Sequence, residues 1–425
     1  MAMNRPATSR GSAQSQRRIA ILFKLTVSLT ILLSILLLSG IYHVGSNATL
    51  AGGLFGAVFI FLACRPSPAH LGWSLAAGVG VALIYGMLGG SFGKDSGVET
   101  FSFFMGIGAF LGAGSILFMS LHRVWTGAPK YSAGLRDAVI APAFILTAGL
   151  SMQLANRGLH ASYDYFLYRF DLSLRLTPGH SIISLFRTLP WIRIASFLTY
   201  SGLLLFPPLY HGWAIYKGKA AKIHLVHAFV IAGVVGFVFY HICPAVGPLV
   251  TFGQQFPDHL PVMSAVPGKT FMSASVYNAM PSLHMTWALL VWIAAWELGS
   301  LAVVMASFIV MFTGFATVGF GEHYFIDLIV AVPLAMAVYG ICTARYKLTA
   351  VGLASVSAWT IYLRTGFQLS TPLHWLSVMG TIMVAVYMMR SFLTTNRKGP
   401  APSVDPASEP VYISSLDSRV DPGPV

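Results

Sequence analysis

Charge is what this sequence has least of. Only 9% of its 425 residues are Asp, Glu, Lys or Arg, while 56% are hydrophobic; soluble domains carry roughly 25% charged residues. So few charges could not keep a water-facing surface of this size solvated, which excludes an ordinary soluble fold. Cysteine is scarce as well. Cys64, Cys243 and Cys342 lie far apart, within or at the ends of apolar runs, so neither a disulfide framework nor a thiolate metal site is expected. Acidic residues are outnumbered by basic ones, 13 to 26, giving a formal net charge of +13. That surplus does not make a nucleic-acid surface. Lys and Arg sit in short connections between apolar runs, the distribution that membrane topology imposes, and no nucleic-acid partner is expected.

What the sequence does have is long apolar runs, at roughly 20–42, 48–64, 71–90, 101–121, 138–155, 191–216, 224–246, 284–298, 300–320, 323–343, 348–363 and 373–392. A helix needs about 20 apolar residues to cross a hydrocarbon core of roughly 30 Å, and runs this continuous mean helices, not barrel strands. The predicted fold class is all-α, a polytopic transmembrane helix bundle of about 10–12 spans. The polar amino terminus carries Arg5, Arg10, Arg17 and Arg18, and the run after it reaches Tyr42. That is too long for a signal-peptide core, so an uncleaved first span with a cytoplasmic amino terminus is expected. From about Thr395 the chain mixes Pro, Ser, Asp and Val without periodicity, which predicts a disordered cytoplasmic tail. The sequon Asn47-Ala48-Thr49 lies against an apolar run and carries little weight.

Alternation from a cytoplasmic amino terminus puts Arg65, then Arg123, Lys130 and Arg136, then Lys217, Lys219 and Lys222, then Arg345 and Lys347 on the inner side, followed by Arg390, Arg397 and Lys398. Short outer connections hold only Lys94, Lys269 and Arg364. The long outer segment 156–190 breaks the bias with Arg157, Arg169, Arg175 and Arg187, as long connections do. Its mix of aromatics and charge at Tyr163, Asp164, Tyr165, Phe166, Tyr168, Arg169, Phe170 and Asp171 predicts an amphipathic helix lying on the interface. The competing reading makes it part of an active-site wall.

Two stretches carry chemistry. Asn278-Ala279-Met280-Pro281-Ser282-Leu283-His284 opens one apolar run, and Gly321-Glu322-His323-Tyr324-Phe325-Ile326-Asp327 opens another, two runs later. Counting spans brings both histidines to the same membrane face through a helical hairpin. His323 and Asp327 are four apart and so within reach of each other on a helix; a carboxylate holding one imidazole nitrogen raises the basicity of the other. Ser282 is a natural amino-terminal cap for the helix that His284 begins. Both helix starts are expected to point free N–H groups and positive dipole ends at a phosphate, a site suited to phosphoryl transfer. An Asp inside a membrane helix is costly and is functional by default. A metal held by His284, His323 and Asp327 is the alternative, weakened by the lack of further carboxylates. His160 with Asp164, and Pro178-Gly179-His180-Ser181, imitate the two stretches in reversed order without a membrane hairpin between them.

At these residues the sequence resembles the type 2 phosphatidic acid phosphatase superfamily. Pro281-Ser282-Leu283-His284 is similar to its PSGH motif, with Leu in the third place, and His323-Tyr324-x-x-Asp327 to the end of its SRxxxxxHxxxD motif. PSLH and HYFxD forms, with Tyr240, Pro244 and Pro248 as a proline-rich first motif, are closer to the branch containing inositol phosphorylceramide synthases. The resemblance covers roughly 138–345 as a six-helix catalytic core. Helices in 1–137 and 346–394 are additions to it, and 395–425 is the tail. It implies that His323 attacks phosphorus to form a phosphohistidine and Asp327 orients it. His284 protonates the leaving oxygen and then activates the acceptor, and Ser282 holds a phosphate oxygen; no metal or other cofactor is implied. The family's cationic clamps are missing, Ala316 and Thr317 standing where Ser-Arg is usual and Tyr240 with prolines where Lys and Arg are. Lys269, Arg169 or Arg175 are the candidate substitutes, with Tyr240 as a further substrate contact. The expected partners are a membrane, a phospholipid or lipid phosphate substrate, and a lipid alcohol or water as acceptor. The expected function is lipid phosphotransfer, with a lipid phosphatase as one alternative and a catalytically silent scaffold or transporter as another. The active site is expected on the extracytoplasmic face.

Overall fold

The computed structural model describes residues 47–87, 99–126, 134–140, 142, 162–175, 178–218, 223–253, 277–366 and 369–395. The apolar run at 20–42, most of the run at 138–155, the carboxyl-terminal tail, His160 and Lys269 lie outside the described residues.

The described chain is helical throughout, without strands. In order it runs α1 (Asn47–Ala63), α2 (Pro68–Met87), α3 (Glu99–Thr126), α4 (Asp164–Ser173), α5 (Pro178–Thr188), α6 (Pro190–Ser201) and α7 (Phe206–Tyr216), then α8 (Leu225–Ile242), α9 (Pro248–Phe252), α10 (Leu283–Leu298), α11 (Ser300–Gly319), α12 (Phe325–Cys342), α13 (Tyr346–Thr365) and α14 (Thr371–Thr395). Among the described residues five helices, α2, α8, α11, α12 and the greater part of α14, are long and apolar enough to cross a membrane, and α1 and α10 contain shorter apolar helices. Their outward faces carry bulky apolar side chains, such as Trp73 and Leu83 on α2, Leu301 and Phe308 on α11, and Leu376 and Tyr387 on α14. Patches of that size suit lipid, not water. The protein is an integral membrane helix bundle.

The apolar run at 191–216 is not one straight span. Gly202 ends α6, a 3-10 turn covers Leu203–Leu205, and Pro207 and Pro208 start α7. Proline fits the first helical turn, where its missing N–H has no partner to lose. One step earlier α5 and α6 meet at a bend of 117° around Leu189.

Helix α12 is the centre of the bundle. It packs against α8, α10, α13 and α14, and α4 reaches its start. Of its membrane window 72% is buried, against 17% for α2, so its apolar side chains meet protein on nearly every side. Small residues make this possible. A Cβ at Gly352 of α13 would stand 2.7 Å from the Pro333 carbonyl oxygen of α12, so the two backbones nearly touch. At the amino-terminal side, α1 and α2 each pack on α3, and a small core is formed by Leu54, Ala57, Ala109, Ala113, Ile116 and Ala138.

Helix α8 sets the scale. From His224, its cap, to Tyr240 it rises about 24 Å at 1.5 Å per residue, so the polar groups at its two ends stand at opposite ends of the bundle.

Candidate active site

His284 enters at the first turn of α10. The Ser282 hydroxyl accepts from the Met285 amide at 3.3 Å and so caps the helix, as its position before an apolar run predicts. The Ser282 side chain is fully buried, and its own amide donates to the Asp327 carbonyl at 3.3 Å. The start of α10 is thereby bound to the start of α12. His284 stacks on Tyr200 of α6, ring centroids 4.2 Å apart at 19°, and meets Trp287 edge-on at 5.8 Å.

His323 lies in the loop between α11 and α12, with its backbone amide donating to the Thr317 carbonyl at 3.0 Å. Its ring is 6.1 Å from that of His284, centroid to centroid. The structure therefore brings the two histidines of the hairpin to one place. The Nδ1 of His323 stands 2.8 Å from the Ala279 carbonyl oxygen. A carbonyl only accepts, so Nδ1 carries the proton and Nε2 is left with its lone pair. Burial pushes His323 down to about 4, with Glu322 and the Ala279 carbonyl opposing. The ring is neutral at neutral pH.

Asp327 sits differently from the sequence expectation. His323 precedes α12, so the two residues do not share a helical face. Tyr324 is the cap and Asp327 closes a capping box, its Oδ2 accepting the Tyr324 amide at 2.8 Å. The same oxygen is 3.5 Å from His323 Nδ1, longer than the bond to Ala279. The group that fixes the tautomer here is the Ala279 carbonyl, and the Asp327 carboxyl lies beside it at the longer distance.

A second departure concerns the start of α12. It does not offer free amides to a phosphate, because Phe325 and Ile326 donate to Asp171 of α4 at 2.7 and 3.1 Å. Burial pushes Asp171 up to about 8, the Phe325 amide opposing and the nearby Asp327 reinforcing. Asp164, also on α4, accepts from the Val246 and Gly247 amides at 3.0 and 2.8 Å, from the Tyr324 hydroxyl at 3.0 Å, and from Ser162. Burial raises Asp164 too, against those hydrogen bonds. So α4 is not a helix on the interface. With Asp164, Leu167, Tyr168, Phe170 and Asp171 buried, it is an inner wall that bolts the 244–253 segment and the start of α12 together. Gly247 makes the join possible: at φ 90°, a Cβ there would stand 2.2 Å from the Glu322 carbonyl oxygen, and Leu249 donates to the Gly321 carbonyl at 2.8 Å.

The remaining sequence candidates are placed as follows. Tyr240 is buried at the end of α8, its hydroxyl against the backbone of Leu283, so it braces the start of α10. Arg169 is half-buried and Arg175 exposed, and neither is joined to the two histidines by a described contact. Lys269 lies outside the described residues. Ala316 and Thr317, in the places of the Ser-Arg clamp, are fully buried and serve the loop that carries His323. Of the imitating stretches, His180 is exposed on α5, and Asp164 is taken up by the scaffold just described. Sequence reasoning missed Tyr200, Ala279 and the capping role of Asp171. Only Asp171 left a trace, as an acidic residue in an aromatic-rich segment.

Residues 165–341 match the family model described as the PAP2 superfamily. The matched stretch contains both histidines, Ser282, Tyr240 and Asp327, and it supports a phosphatase or phosphotransferase enzyme acting on lipid phosphate in a membrane. No curated protein matches the chain, and no solved structure does.

Proposed function

We propose that this chain, with its PAP2 superfamily stretch, is a lipid phosphotransferase that works through a phosphohistidine at His323 on the extracytoplasmic face. The observation that carries the reading is the paired imidazoles: His323 with Nδ1 tied to Ala279 and Nε2 unprotonated, and His284 with its ring 6.1 Å away. A neutral, oriented imidazole is a nucleophile, and a second one at that distance leaves room for a phosphorus centre between them.

In the first step Nε2 of His323 forms a bond to phosphorus as the bond from phosphorus to the leaving lipid oxygen breaks. His284, which enters the step as the imidazolium beside the anionic phosphate, gives that oxygen its proton and becomes neutral. In the second step His284 takes the proton of an acceptor hydroxyl, whose oxygen bonds to phosphorus as the bond to His323 breaks. Protons and phosphorus balance on the two imidazoles alone. Asp327 steadies the cation that develops on His323, Ser282 holds a phosphate oxygen, and Arg169 and Lys269 are the candidates for neutralising phosphate charge. The catalytic core is 138–345, with the helices of 1–137 and 346–394 added to it.

The PSLH and HYFxD forms favour an inositol phosphate-type headgroup as the group moved, with a ceramide-like alcohol as acceptor and diacylglycerol as the leaving product. Water as acceptor, making the protein a lipid phosphatase, is the second reading, favoured by the breadth of the family match. Purified protein incubated with phosphatidylinositol or phosphatidate, with and without ceramide, separates the two. A phosphosphingolipid formed only with ceramide supports the transferase, and free phosphate from phosphatidate supports the phosphatase. A folded protein yielding neither product would overturn both.

A further inference from the structure

At the other end of α8, about 24 Å from Tyr240 along its axis, a second group of histidines surrounds one carboxylate. Asp137, in the helical stretch at 134–140, is buried. Its Oδ2 is 2.9 Å from His224 Nε2 and 3.2 Å from His211 Nε2. His224 caps α8, and His227, one turn on, stacks against it with centroids 3.8 Å apart. One ligating atom from each of Asp137, His224 and His227 lies within 4.8 Å of the others. Asp137 Oδ1 is held by Arg136 Nε at 3.2 Å, which fixes the carboxylate so that Oδ2 faces the imidazoles.

Four-coordinate zinc bonds N and O at about 2.0–2.2 Å, which sets tetrahedral ligand atoms about 3.3–3.5 Å apart. The 2.9 Å between Asp137 Oδ2 and His224 Nε2 is within about half an ångström of that spacing. Two imidazoles with one carboxylate are a donor set for zinc and its neighbours, not for calcium or magnesium. We infer that Asp137, His224 and His227 form a binding site for a divalent transition ion of the zinc type at the end of the bundle opposite His284 and His323, with His211 hydrogen-bonded beside it to the same carboxylate oxygen.

The proton arrangement fits ligation. In the metal-free cluster the two Nε2 atoms donate to Asp137; an ion bound at His224 Nε2 moves that proton to Nδ1. His211 keeps its Nε2 proton on Asp137, its Nδ1 being buried without a partner among the described residues. The Nδ1 of His224 gives up only a long contact, 3.4 Å from the His227 amide. The ion would staple the 134–140 stretch to the start of α8. This site is independent of the proposed reaction and stands or falls apart from it.

The test uses the full chain in detergent, stripped with a chelator and then titrated with Zn2+ in a calorimeter. One ion per chain is expected. In His224→Ala and Asp137→Asn affinity should fall by more than the about 10–100-fold that outer-shell changes cost, while His323→Ala binds as the unaltered protein does. No binding, or stoichiometric binding retained in both cluster variants, overturns the site. Should those variants fail to fold, Co2+ added to the unaltered protein decides. The intense visible absorption of tetrahedral cobalt supports the site, and the faint spectrum of six-coordinate cobalt removes it.

Discussion

Two ends of one helix hold two clusters of histidine and aspartate, and they are built on opposite plans. At the catalytic end, the carboxylates of Asp164, Asp171 and Asp327 receive backbone amides from Val246, Gly247, Phe325, Ile326 and Tyr324. The histidine that matters there is tied not to a carboxylate but to a carbonyl. At the opposite end, Asp137 Oδ2 receives imidazoles from two different segments. A carboxylate bonded to backbone amides is a fixed part of the scaffold, because replacing it strands the amides. One bonded to imidazoles has partners that can turn toward another electrophile. The first plan suits the proposed nucleophile, which must be held still; the second suits the proposed ligands, which must be ready for exchange.

The sharpest way to break this contrast is at His323. Replacing it with Ala removes the nucleophile and should lower turnover by about 10⁴-fold or more, followed as lipid product per mole of folded protein. A variant within tenfold of the original rate would remove His323 from the proposed chemistry. Next comes Asp327→Asn, which keeps an acceptor for the Tyr324 amide but deletes the charge beside His323 Nδ1. A fall of about 10²- to 10³-fold in kcat is expected from lost electrostatic stabilisation, with the unfolding temperature little changed. If kcat stays within threefold, the Ala279 carbonyl alone orients the ring. Smaller again is Asp171→Ala, which strands the amides of Phe325 and Ile326 in a buried place and should cost about 2–4 kcal/mol. A thermal melt measures it, and an unshifted melting temperature would mean that water serves those amides as well as Asp171 does.

How much of this could be read beforehand follows from sequence distance. The helix starts at Ser282 and near His323, the membrane class, and the meeting of the two histidines all follow from local patterns and span counting, which need no side-chain contacts across the fold. The clamp of Asp171 on Phe325 joins residues 154 positions apart, and the hydrogen bonds of Asp137 to His211 and His224 join residues 74 and 87 apart; no periodicity announces either. The aromatic mix of α4 was legible as amphipathic, with an active-site wall as the competing reading, and amphipathicity does not say whether the polar side meets water or the capping groups of another helix. The break at Gly202 and Pro207 was visible as residues but was outweighed by the continuous hydrophobicity of 191–216. The reach of Asp327 to His323 was expected across a helical turn. It arises instead from a capping box, which sets a similar separation by a different backbone.

The smallest expected effect is on the acid limb of the pH profile, and it tests what burial does at the catalytic end. His323 must be neutral to attack. An imidazole at its ordinary value near 6.5 would be only about 3% neutral at pH 5. Burial pushes His323 down to about 4, so it remains about nine-tenths neutral at pH 5, and its contribution to kcat/KM should change by less than about twofold between pH 5 and 7. The sign follows from the charged form being the disfavoured one in a buried place: lowering the value widens the active range toward acid. An acid limb found near 6.5 would mean that the working His323 is hydrated. The carbonyl of Ala279 would then hold a ring that spends much of its time protonated, and burial would no longer be what distinguishes this histidine from the exposed His180.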